Sequence, residues 1–99
     1  MKYDFIPDFV HSVVKEYDWT MPKYNKEEYG DYNEYECECL DIGHDYEYEI
    51  AEIAVDRMVR ASRLSRQEVE NCGDEIGEAV WDEISKYIIA NMDKEEENL

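Results

Sequence analysis

The chain has 99 residues, room for one modest core, and carries 27 Asp and Glu against 10 Lys and Arg, a net charge of −17. That balance disfavours direct binding to nucleic acid and docking on anionic membranes, since both depend on Lys and Arg meeting phosphate. No apolar run approaches the roughly 18–20 residues of a membrane span, and MKYDFIPDFVHSVV, interrupted by Asp4 and Asp8, does not read as a secretory signal.

Leu, Ile, Val and Phe total 20 residues, near the boundary of roughly 20% at which highly charged chains stop folding. Periodicity therefore has to decide whether a core exists. In the first segment Ile6, Phe9, Val10, Val13, Val14 and Tyr17 fall at i, i+3, i+4, i+7, i+8 and i+11, one apolar stripe of a helix. Pro7 suits the first turn, and Asp8 meets the positive end of the dipole. Thr20-Met21-Pro22 then ends the pattern.

Residues 25–49 fit two readings. NEYECEC alternates at period two, as a strand with Tyr and Cys on one face and Glu on the other. Tyr32, Tyr35, Cys39, Ile42 and Tyr46 also recur at three or four residues, a helix broken at Gly43. Glutamate favours the helix. From about Asp45 a helical face of Ile50, Ile53, Ala54, Met58 and Ala61 runs towards Leu64, with Arg57, Arg60 and Arg63 in its last turns.

Ser65 and Glu68 form a capping box, and Val69, Cys72, Ile76, Val80, Ile84, Tyr87 and Ile88 make the next stripe. Gly73 and Gly77 either interrupt this helix or admit a close neighbour. The expected fold is mainly α: a small single-domain helical bundle over 1–93 with an acidic tail at 94–99. The alternative is α+β, with a short β-hairpin in 23–41.

The charge is unevenly placed. Residues 25–56 hold twelve acids and one base, Lys26, net −11, whereas 57–66 hold four arginines and no acid. Solubility asks for about 2–8 net charges on a small domain, so this density points to a basic protein surface. Tyrosine, favoured at interface hot spots, is concentrated in the same region. The contact residues expected are Glu34, Glu36, Glu38, Asp41, Glu47 and Glu49 for charge, with Tyr32, Tyr35 and Tyr46 as anchors. Any single acidic run also has a plain reading as a solvated face, and any single tyrosine as core packing.

Other constellations carry less. Cys37, Cys39, His44 and Cys72 lack the usual C-x₂₋₄-C knuckle spacing of a zinc site. Asp31–Ile42 lacks both the glycine and the terminal glutamate of a calcium loop. The second helix of a helix-turn-helix at 60–84 would carry Asp74, Glu75, Glu78, Asp82 and Glu83, which do not read bases. Three cysteines are too few for a disulfide scaffold and suit a reduced, cytoplasmic setting (the host cytoplasm for a phage-encoded chain). Arg57, Arg60, Arg63 and Arg66 read as partners of nearby acids, or as one half of a homodimer contact. No nucleophile motif stands out, so the chain reads as a non-enzyme without metal or cofactor.

In size, charge and tyrosine content the chain resembles phage and mobile-element inhibitors of the anti-CRISPR and anti-restriction kind, a resemblance of composition alone. It implies a nucleic-acid (DNA) mimic that occupies the groove of a basic nucleic-acid-binding protein or nucleoprotein complex. A small helical adaptor or regulatory subunit, binding through its apolar stripe and tyrosines, is the alternative.

Overall fold

The computed structural model describes residues 3–94. Among these residues six helices follow in order: α1 (Ile6–Glu16), α2 (Lys26–Tyr29), α3 (Tyr32–Asp45), α4 (Glu47–Arg60), α5 (Arg66–Asn71) and α6 (Gly73–Asn91). No strand occurs among the described residues, so the hairpin alternative in 23–41 is not realised. Two side-chain caps explain why the ambiguous segment is helical. Asn25 accepts from the Glu27 amide to open α2, and Asp31 accepts from the Asn33 and Glu34 amides to open α3. Such caps stabilise a helix end by about 1 kcal/mol each, and the glutamates that follow propagate it well.

α6 is the hub. Its Ile76, Val80, Ile84 and Ile88 are buried, and α1, α3 and α4 all pack on it. α1 contributes Ile6, Val10, Val13 and Val14, and α4 contributes Ile50, Ala54 and Met58. Each such side chain larger than Ala54, fully buried, stabilises by about 1.5–3 kcal/mol. Two polar contacts set α1 in place: His11 Nδ1 lies 2.7 Å from a Glu83 oxygen on α6, and Arg57 on α4 donates to Glu16 at 2.6 Å. The molecule is elongated, 52 × 23 × 18 Å, and α3 and α4 succeed one another with only Tyr46 between them.

The expected capping box is present: Ser65 accepts from the Glu68 amide, and the Glu68 carboxylate accepts from the Ser65 amide. The predicted helix from Ser65 onward divides at Cys72 into α5 and α6. Of the two readings of Gly73 and Gly77, interruption holds at Gly73, which follows the break at Cys72, and close approach holds at neither. A Cβ on Gly77 or Gly73 would meet nothing within 4 Å, whereas one on Gly43 would lie 2.5 Å from Ile88 Cδ1 and 2.8 Å from Ile84 Cγ2. Gly43 therefore does not break α3; it lets α3 sit directly on α6. The acidic tail expected at 94–99 lies, beyond Lys94, outside the described residues.

Gly43→Ala is expected to destabilise by about 1–3 kcal/mol through overpacking. Gly77→Ala, in a helix interior with open space around it, is expected to stabilise by about 1 kcal/mol. Urea unfolding of the two variants beside the parent checks both signs.

Candidate functional site

Because α3 is a helix, its acids sort by turn rather than by alternation. Glu34, Glu38 and Asp41 stand at i, i+4 and i+7 and are all exposed. Asp45, four residues on, extends them, giving four carboxylates over about 16 Å of helix axis at a rise of about 1.5 Å per residue. Neighbours in this stripe are closer than the Debye length of about 8 Å, so a partner meets them as one line of charge. Asp45 was absent from the sequence-derived set, although the same spacing would have found it.

The other expected acids lie elsewhere. Glu36 is half-buried and, two residues from Glu34 at about 100° per residue, projects from the opposite flank of α3. Glu47 opens α4, with one oxygen 3.0 Å from His44 Nδ1. Glu49 accepts from the Tyr17 hydroxyl at the end of α1. Thus Glu34, Glu38 and Asp41 are brought together, while Glu36, Glu47 and Glu49 are not part of their stripe.

Seven of the nine tyrosines fall into two packed groups. Tyr24, Tyr29, Tyr32 and Tyr35 pack edge-on, tilted or stacked, with centroids 5.3–6.4 Å apart, and tie the segment before α3 to that helix. Tyr17, Trp19, Tyr46 and Tyr87 form the second group around the α3–α4 junction. Of the three expected anchors, Tyr35 is fully buried and offers no surface to a partner. Its hydroxyl donates to the Pro22 carbonyl at 2.7 Å and accepts from the Asp93 amide at 2.9 Å, joining the 20s loop to the end of α6. Tyr32 is half-buried and donates to the Asp93 carbonyl at 2.7 Å. Tyr46 is 39% exposed, while Tyr48, outside the expected set, is 77% exposed.

Hydroxyl–carboxylate bonds hold some acids in position. Tyr29 donates to Glu38 within the stripe, as Tyr17 does to Glu49. The carboxylate beside each phenol resists its ionisation, pushing Tyr17 up to about 12 and Tyr29 higher still. Burial pushes Tyr35 up to about 12. Burial also raises the Cys39 and Cys72 thiols, whereas Cys37 stands exposed between Glu34 and Asp41 on α3.

No group of three or more His, Cys, Asp or Glu among the described residues is disposed to hold a metal ion. No helix among them is long and apolar enough to cross a membrane. All four arginines have partners within the chain: Arg57 meets Glu16, Arg60 and Arg66 meet Asp56, and Arg63 lies 4.7 Å over the Phe5 ring. No family model, curated protein or solved structure matches the chain.

Two measurements check these placements. Raised phenol pKa values keep stability intact below about pH 10 and remove it as pH rises through about 12. Urea midpoints across that window should fall as tyrosinate absorbance rises, and Tyr35→Phe should flatten the fall while costing about 1–2 kcal/mol at neutral pH. In thiol titration of the native protein Cys37 should react at once, with Cys39 and Cys72 following only on unfolding.

Proposed function

We propose that the chain is a protein-binding inhibitor of the nucleic-acid-mimic kind, not an enzyme, and that it lays the α3 stripe into a Lys- and Arg-lined groove. The observation that carries this reading is the exposed run Glu34, Glu38, Asp41 and Asp45 on one helix face, within a segment of net −11. Duplex DNA presents one phosphate per roughly 3.4 Å along each strand. The stripe presents one carboxylate per roughly 5.5 Å, sparser but of the same sign and held on a rigid rod. A helix fixes the array before binding, so little ordering entropy is lost on contact. The targets that fit are bacterial nucleic-acid-binding effectors of the CRISPR or restriction type, with the chain acting in the host cytoplasm.

The test uses a panel of purified CRISPR effectors and restriction enzymes, with displacement of their labelled nucleic acid as the readout. The chain should displace the nucleic acid from a panel member, and its affinity should fall by at least about tenfold between about 50 and 200 mM salt. A triple variant, Glu34→Lys, Glu38→Lys and Asp41→Lys, should abolish displacement while keeping its helical circular dichroism, since lysine is a good helix former. Alkylation of Cys37 should slow in the complex. Displacement unchanged in the triple variant, or binding indifferent to salt, would replace this reading with that of an adaptor binding through apolar and tyrosine surface.

A further inference from the structure

A second surface, away from the α3 stripe, has a different chemistry. An open groove of about 1150 Å³ runs between the start of α1, the α3–α4 junction and the first half of α6. Its aromatic element is the half-buried Trp81, on whose ring His44 stacks with centroids 3.8 Å apart and planes 9° from parallel. Pro7 and Ile6 of α1 supply apolar wall. Glu47, Glu75, Glu78 and Asp82 stand along it, and among the described residues no lysine or arginine lines it.

Two of these carboxylates have partners: Glu47 is beside His44, and Asp82 pairs with Lys86 at 2.9 Å. Glu75 and Glu78 have neither a hydrogen bond nor an ion pair among the described residues and are exposed. Gly77 lines the same groove, and a Cβ added there would meet nothing within 4 Å.

From this geometry we infer that the groove is a docking site for an arginine-bearing segment of a protein partner, with a guanidinium against the Trp81–His44 pair and its N–H groups directed to Glu78 and Glu75. The choice of arginine follows from complementarity. A guanidinium is planar, stacks on an indole, and still presents donors at its edge for a carboxylate. An ammonium gains the charge attraction but not the plane-on-plane contact. A neutral apolar segment would fill the walls yet leave the surrounding carboxylates desolvated without a counter-charge. The inference does not depend on the α3 stripe, and either surface can fail alone.

The probe is an octapeptide alternating Arg and Gly, compared with the same peptide bearing Lys in place of Arg. Binding is read from the Trp81 indole N–H resonance, assigned by its loss in Trp81→Phe. The Arg peptide should shift the Trp81 signal more than that of Trp19, and should bind several-fold tighter than the Lys peptide. Gly77→Leu, which fills the groove from a position where an added Cβ meets nothing within 4 Å, should weaken the Arg peptide by about tenfold with the helical content unchanged.

Glu75→Gln with Glu78→Gln should weaken it similarly, whereas Glu34→Gln with Glu38→Gln should leave it nearly unchanged. Equal binding of the two peptides, or indifference to both Gly77→Leu and the Glu75/Glu78 pair, would overturn the inference. So would a shift confined to Trp19.

Discussion

Ile76, Val80, Ile84 and Ile88 hold α1, α3 and α4 to a single helix, and that shared burial has to outweigh the self-repulsion of a chain with net charge −17. The consequence is a strict division of space. Among the described residues no charged side chain is buried, and no buried side-chain nitrogen or oxygen lacks a partner. The apolar inventory is small, so the interior is completed by groups that are not purely apolar. Tyr35 and the thiols of Cys39 and Cys72 are fully buried beside the aliphatic residues. The tyrosine that seemed suited to an interface by composition is thus partly consumed in making a core at all.

Gly43 links this constraint to the acidic face. Without a Cβ it lets α3 settle on Ile84 and Ile88, and burying the Tyr35–Cys39–Gly43 edge turns Glu34, Glu38, Asp41 and Asp45 outward together. Like charges at i, i+4 disfavour a helix by roughly 0.2–0.5 kcal/mol per pair. The Asp31 cap, the Tyr29–Glu38 bond and the contact with α6 offset that cost. The stripe is therefore a consequence of tertiary packing: an isolated α3 peptide would carry the same charges with much less to hold them in line.

The legible and illegible parts of the sequence differ in how local their signals are. The α1 stripe, the Ser65–Glu68 box and the Ile76–Ile88 stripe are read within one element, from contrast between apolar and charged positions. α3 has little such contrast. Its buried edge is a tyrosine, a cysteine and a glycine, and Glu-Tyr and Glu-Cys alternation imitates a strand. Asn25 and Asp31 were the local clues to helix, as caps placed before glutamate-rich turns. The close approach at Gly43 has a different origin. Gly73 and Gly77 look like packing glycines on their own helix, but only the neighbouring helix decides which glycine is covered, and that is a long-range fact. For the same reason Glu47 was grouped with the α3 acids by proximity in sequence, while in space it belongs with His44 and Trp81.

Two acidic surfaces of unlike construction imply unlike physics of attachment. The α3 stripe is exposed, with charges about 5–6 Å apart, so its attraction is long-ranged, tolerant of register and strongly screened. It suits capture and steering more than discrimination. The Trp81 groove combines a stacking surface, apolar walls and two carboxylates that have no ion pair among the described residues, so the attraction proposed for it is short-ranged and depends on the shape of the cation as well as its sign. A partner that engaged both would be drawn in by the first and held by the second. The association rate would then follow salt, while the dissociation rate would follow the side chain seated against Trp81.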